Sequence, residues 1–205
     1  MQTDKTVHVV DDDEAIRDSL AVLLEAHDLR VLTYPSGIEL FAEIGAADPF
    51  GCVLSDVRMP GMTGLEVQEK MNALEWRTPL ILMTGHGDLP MAVSAMRAGA
   101  FDFIEKPFEE ASLIGRIKAA LALSEERKLN ADTLQKVEEN LRKLSPRERD
   151  VLEQMVEGHP NKIIAYNLGI SARTVEVHRA RVMEKMLAQN LSQLVRMALS
   201  AGIAS

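Results

Sequence analysis

The sequence predicts an α/β fold with a doubly wound five-stranded parallel sheet, followed by a helical linker and an all-α four-helix region. Three observations predict it. Short apolar runs alternate with helical patterns over residues 1–124. The runs are apolar on nearly every position, as strands covered on both faces are. After Ser145-Pro146 the strand pattern stops and four short capped helices follow.

The first strand is read at Thr6–Val10, ending in Asp11-Asp12-Asp13. Ile16, Leu20 and Leu23-Leu24 then recur at helical spacing. A short strand near Arg30–Tyr34 and a helix from about Gly37 come next. The third strand, Gly51–Ser55, runs into Asp56 and precedes a helix with Leu65, Val67 and Met71. The fourth, Pro79–Met83, runs into Thr84, and Gly99 ends the helix after it. The fifth, Phe101–Glu105, runs into Lys106-Pro107 and a helix with Leu113-Ile114, Ile117 and Leu121. Right-handed crossovers make a doubly wound sheet the economical topology.

Residues 125–144 contain no Gly or Pro, and Leu134, Val137, Leu141 and Leu144 form a narrow helical seam. Such a seam pairs two chains or docks on the chain's own domains; two heptads are short for a coiled coil. Ser145 at the N-cap, Pro146 at N1 and Glu148 at N3 read as a capping box. That helix stops at Gly158. Asn161 is read as the cap of the next, Lys162–Leu168, which Gly169 ends. Ser171 opens a third helix and Leu191–Ala201 forms a fourth. The expected domains are therefore residues 1–124, a linker over 125–144, and 145–205.

Charge divides the chain in the same way. Residues 1–124 hold 10 Lys+Arg against 20 Asp+Glu, whereas residues 140–205 hold 10 against 6. An acidic first part and a basic last part imply different partners, and a polyanion suits the second. No apolar run approaches the length of a membrane span, and no signal peptide is read. The single cysteine, Cys52, lies within a buried strand, which fits a reduced, cytoplasmic compartment.

Parallel strands place their C-terminal ends on one edge, where α/β sheets bind ligands. Three carboxylates, a hydroxyl and an ammonium are thus expected to meet. An aspartate attacks a phosphoryl group poorly because both are anionic. A hard cation shared between them removes that repulsion, and Mg²⁺ takes one or two carboxylates, phosphoryl oxygen and waters. Asp12, Asp56 and the Arg58 carbonyl could hold it; Lys106 and Thr84 could engage phosphoryl oxygens. Each residue alone has a plainer reading. Asp13 is expected to cap the helix beginning at Glu14, and Lys106 or Thr84 alone is an ordinary surface charge or strand residue.

Val10-Asp11-Asp12-Asp13, Ser55–Gly64, Met83-Thr84-Gly85 and Glu105-Lys106-Pro107-Phe108 together resemble the receiver domain of two-component signalling, a flavodoxin-like fold. The resemblance implies that Asp56 accepts a phosphoryl group from a sensor histidine kinase. It implies Mg²⁺ ligation by Asp11, Asp12 and Asp56, phosphoryl contacts from Thr84 and Lys106, and an aromatic switch at Phe103. It also resembles the family in a Lys106-Pro107 bond that is often cis.

Asn161–Met186 has the length and punctuation of a helix-turn-helix, whose second helix enters the major groove. Thr174, Val177, His178 and Arg181 fall near one face; Lys162, Arg179 and Lys185 add cations for phosphates. The plainer reading is a small bundle with solvated charges. Leu144–Leu152, Asn161–Ala165 and Ile170–Arg179 resemble the LuxR-type effector domain. Glu176 departs from the Lys that many relatives carry, which leaves base assignment open. The resemblance runs nearly end to end to regulators of nitrogen-fixation genes. It implies a FixL-like oxygen-sensing kinase, homodimerisation on phosphorylation, promoter DNA and RNA polymerase as partners, and activation of transcription. A haloacid-dehalogenase-like phosphatase would carry a second Asp two residues after Asp56; Arg58 stands there, so no enzyme is expected. A receiver whose tail binds another protein is the remaining alternative.

Overall fold

The computed structural model describes residues 6–85 and 89–203. It divides into two compact units, Met1–Lys128 and Leu129–Ser205.

In the first unit five strands alternate with helices: β1 (Thr6–Val10), α1 (Glu14–Glu25), β2 (Arg30–Tyr34), α2 (Gly37–Ile44), β3 (Cys52–Asp56), α3 (Gly64–Ala73), β4 (Leu80–Thr84), α4 (Leu89–Arg97) and β5 (Asp102–Glu105). All pairings are parallel, in the order β2-β1-β3-β4-β5. The strand order reverses between β1 and β3, so the crevice at their carboxyl ends is the expected ligand position. Side chains of a strand alternate between faces. Val7, Val9, Leu54, Ile81 and Met83 therefore pack with Leu20, Leu24, Leu113 and Ile117 on one face. Val10, Val53, Leu80 and Leu82 pack with Leu40, Val67 and Met71 on the other. Two covered faces explain why the strands read as unbroken apolar runs. Cys52 is among the buried residues, and burial pushes its thiol pKa up to about 12. It behaves as a small hydrophobe.

β3, β4 and β5 each begin one residue later than the sequence suggests. The shift makes Asp56 and Thr84 the last residues of their strands rather than the first of their loops. Residues 86–88, which follow the Met83-Thr84-Gly85 motif, lie outside the described residues.

α5 (Glu110–Arg142) is one uninterrupted helix of 33 residues that passes from the first unit into the second. In the second unit follow α6 (Pro146–Val156), α7 (Asn161–Leu168), α8 (Ala172–Lys185) and α9 (Leu191–Ser200). Val137, Leu141 and Leu144 are buried there with Leu152, Ile164, Val175, Val182 and Leu194. Three of the four seam residues thus dock on their own chain, while Leu134 is 37% exposed. The capping box of Ser145 and Glu148 is formed, and Gly169 ends α7 in the left-handed conformation. Asn161 is not a cap: it is the first helical residue of α7, and Pro160 holds the N-cap position without a side-chain bond. The Pro160 carbonyl instead accepts from the N–H groups of Ile163 and Ile164.

Candidate functional site

Strand register assembles the acidic edge. Val10 pairs with Ser55, so the next residues, Asp11 and Asp56, are neighbours. Asp56 pairs with Met83 and Thr84 with Glu105, which sets Thr84 and then Lys106 one step further along. The Lys106 N–H donates to the Thr84 carbonyl at 2.7 Å. From there the Lys106 ammonium reaches Asp56 Oδ1 at 2.5 Å and Asp11 Oδ2 at 2.9 Å. The other oxygen of each carboxylate takes a backbone N–H: Arg58 to Asp56 at 2.6 Å and Asp13 to Asp11 at 3.0 Å.

The lysine's environment pulls both ways. Burial opposes its charge, but the bonds and charges of Asp56 and Asp11 outweigh that, and its pKa lies above the ordinary lysine value. The two carboxylates differ in access: the Asp11 side chain is 2% exposed and that of Asp56 13%. Thr84 is buried. Phe103 is half-buried against the core face that holds Leu82 and Ala95. The Lys106-Pro107 peptide is cis.

Not every expected side chain joins the cluster. Asp13 caps α1, accepting from Ala15 N at 2.8 Å and Ile16 N at 3.3 Å. Asp12 is exposed, and Arg58 is exposed with its N–H turned toward Asp56. Among the described residues no three Asp, Glu, His or Cys side chains gather closely enough to hold an ion unaided. Two residues escape a sequence reading. Arg17 donates from Nη1 to the Asp11 carbonyl at 2.8 Å and steadies that carboxylate's backbone. A cation early in a helix runs against the helix dipole, and that anomaly was the available signal. Gly64 begins α3 where a Cβ would lie 2.4 Å from the Asp56 carbonyl oxygen, so only glycine lets the helix start against β3.

In the second unit α8 presents Thr174, Val177, His178 and Arg181 along one face, with Val177 and Arg181 exposed. The Thr174 hydroxyl lies 2.8 Å from that of the N-cap Ser171. Lys162 is exposed on α7. Two expected contacts are placed differently. Arg179 falls in the same stripe as Val175, Val182 and Met186 and is half-buried, so it lies off the polar face. The Lys185 ammonium bonds Glu148 Oε2 at 2.6 Å and the Lys143 carbonyl at 3.1 Å. Its charge ties α8 to the start of α6, and Lys185 is a structural cation. Lysine and the Ser145 N–H hold the Glu148 carboxyl well below its usual range, at about 2.

Residues 7–118 match the response regulator receiver domain, and residues 142–198 match the bacterial regulatory proteins of the LuxR family. The chain is a two-component response regulator. It is 51% identical to the transcriptional regulatory protein FixJ of Azorhizobium caulinodans, over 97% of this chain and 93% of that protein. Its identity to FixJ of Rhizobium meliloti is 48%, over 98% of each. Among solved structures, the response regulator StyR is 40% identical, covers 95% of this chain and 98% of its own, and superposes with a TM-score of 0.84.

Receiver domains generally bind Mg²⁺ beside the phosphorylated residue, and this response regulator's donor set fits it. All donors are oxygens, which suits a hard cation over zinc. Asp11 and Asp56 carry two negative charges against the one positive charge of Lys106. Mg²⁺ needs no third carboxylate, because waters and a phosphoryl oxygen complete its octahedron. No helix among the described residues is long and apolar enough to cross a membrane.

Proposed function

We propose that this response regulator is phosphorylated on Asp56 by a sensor histidine kinase, and that the FixJ relatives point to a FixL-like, oxygen-responsive one. The observation that carries the reading is the Lys106 ammonium shared by Asp11 and the more exposed Asp56. One carboxylate is sequestered and the other can be reached, so the pair has one candidate nucleophile. An Asp56 oxygen forms the new O–P bond while the N–P bond of the kinase's phosphohistidine breaks, and the leaving imidazole takes up a proton. Asp11, Asp12, Asp56 and the Arg58 carbonyl would hold Mg²⁺, which when bound offsets the charge of carboxylate and phosphoryl oxygens. Lys106 already sits at Asp56 and needs only to turn toward a phosphoryl oxygen. Thr84 donates its hydroxyl to another. An apolar groove beside the site, lined by Ile16, Leu20, Leu23 and Phe108, suits docking of the phosphodonor.

The consequence is a switch rather than turnover, since Arg58 stands where a hydrolase would place its acid. Drawing Thr84 toward the phosphoryl group opens room for Phe103 to rotate inward. That changes the surface of α4 and β5 and permits homodimerisation, a local charge change biasing a two-state element. Two second units then read promoter half-sites about 34–36 Å apart. Thr174, Val177, His178 and Arg181 approach the bases, Lys162 the phosphates, and the outcome is recruitment of RNA polymerase to nitrogen-fixation genes in the cytoplasm. The test is acetyl phosphate with Mg²⁺: the parent is labelled on Asp56 and Asp56→Asn is not. Equal labelling of both removes Asp56 from the role.

A further inference from the structure

The far end of the first unit, at the N-terminal ends of β4 and β5, holds a cleft that phosphoryl chemistry leaves unused. It has a volume of about 290 Å³ and is lined by Gln68, Asn72, Trp76, Arg77, Phe101 and Arg127, among others. Both charged side chains that line it are arginines, and no carboxylate among the described residues does. That is unusual in a unit, residues 1–128, where acids outnumber bases 22 to 12. Asp48, the carboxylate next to Arg77, is occupied: it accepts from Arg77 N at 2.8 Å, Thr78 N at 3.1 Å and the Thr78 hydroxyl at 2.6 Å. Among the described residues no carboxylate forms an ion pair with either guanidinium. Arg127 spends one Nη1 bond on the Arg77 carbonyl, leaving most of its donor fork available.

We infer that this cleft binds a small organic dianion whose acidic oxygens, on two carboxylates or on one phosphate, contact both Arg77 and Arg127. Two unpaired guanidiniums beside one cavity repel each other, and an anion between them converts that repulsion into attraction. Each planar fork matches a carboxylate or phosphate face to face. Most of the cleft's lining is polar, as a hydrophilic anion requires, and Trp76, Phe101 and Leu123 add apolar edges that an organic stem can touch. The volume is at the small end of ligand pockets and suits a compact metabolite.

The position gives binding a consequence. Arg127 lies on α5, the helix that runs on into the second unit. Three ties already hold this stretch: Arg127 Nη1 donates to the Arg77 carbonyl, Gly51 N donates to Ser124 Oγ at 3.2 Å, and the Lys128 ammonium lies 3.8 Å from the Phe50 ring centre. A dianion bridging the two guanidiniums adds a fourth and strengthens the hold of the receiver on α5. Because coupling is reciprocal, any state that loosens this stretch of α5 also weakens the ligand.

Trp76 is the single tryptophan of the chain and lines the cleft, so its fluorescence reports occupancy. The full-length protein is titrated at fixed ionic strength with succinate, malate and glycerol phosphate, and with sodium chloride as the screening control. The expected result is a saturable change at millimolar concentration or below with at least one dianion and none with chloride. Arg77→Gln and Arg127→Gln each weaken it at least tenfold while acetyl phosphate labelling of Asp56 persists. Preference among the three assigns a carboxylated or a phosphorylated ligand. No saturable change with any dianion, an equal response to chloride, or undiminished binding in the doubly substituted protein overturns the inference.

Discussion

Replacing Lys106 with methionine keeps the aliphatic stem and removes the charge that joins Asp11 to Asp56. At contact distance and an effective dielectric near 20, each pair attracts by about 6 kcal/mol before desolvation is counted. Desolvation offsets much of this, but the variant keeps Asp11 buried and Asp56 partly buried, and removing one partner of a buried pair costs about 3–5 kcal/mol. The Lys106 side chain is 24% exposed, so water softens the loss. The expected destabilisation of the receiver is about 2–4 kcal/mol at neutral pH. With a urea dependence of about 2 kcal/mol per molar, the midpoint falls by about 1–2 M. Trp76 fluorescence reads this unit alone. The pH dependence carries a sign. The lysine pKa is raised in the folded state, so its contribution is full below the unfolded value of 10.5 and fades as pH climbs through the folded value. Parent and variant should therefore converge at strongly alkaline pH. Excess Mg²⁺ should restore the variant at pH 7 by replacing the missing positive charge, with about 2.7 kcal/mol at a hundredfold excess over Kd. An unchanged or higher midpoint at pH 7 would refute the view that Lys106 neutralises this carboxylate pair.

Glu148 makes a parallel prediction in the second unit. Its folded carboxyl pKa, about 2, is below the ordinary 4.5, so its stabilisation is complete above pH 4.5 and drains away as pH falls toward 2. Glu148→Gln should lower the unfolding midpoint seen by circular dichroism at pH 7, by about 1–3 kcal/mol, leave the Trp76 transition in place, and flatten the dependence between pH 4.5 and 2. An unaltered acid limb in the variant contradicts this assignment. At the exposed face of α8, Arg181→Ala should weaken promoter binding by about 1–3 kcal/mol if it reads a base, with altered preference at one position, whereas Lys162→Ala should weaken all sequences alike and reduce the salt slope by about one. Anisotropy titrations over a salt series separate the two. Lys185→Ala should instead act on stability, through the loss of its bond to Glu148.

The doubly wound sheet was legible because burial on both faces leaves an unmistakable run of apolar residues, and the chemistry-bearing residues interrupt those runs at one end only. The N-caps of α6 and α8 and the C-cap of α7 were equally legible, being local: Ser145 with Glu148, Ser171, and Gly169; the N-cap of α7 was not, since Pro160 and not Asn161 holds it. What escaped was long-range or depended on direction. Lys185 and Glu148 are 37 residues apart, and nothing local says that a basic residue on α8 is already occupied. Arg77 and Arg127, 50 residues apart, meet only in the folded unit. Arg179 continues the spacing of Val175, Val182 and Met186, which sets this cation in the apolar stripe of α8 rather than on its polar face. Asp11, Asp12 and Asp13 look alike in sequence, yet one bonds Lys106, one is exposed and one caps α1. Only strand register divides those roles.

A phosphoryl group on Asp56 is proposed to govern assembly. Sedimentation velocity of the full-length protein, with and without acetyl phosphate and Mg²⁺, reads that assembly. The parent is expected to pass from monomer to dimer on treatment, Asp56→Asn to remain monomeric, and removal of Mg²⁺ to abolish the change. A parent that stays monomeric while fully labelled, or an Asp56→Asn protein that dimerises equally on treatment, contradicts it.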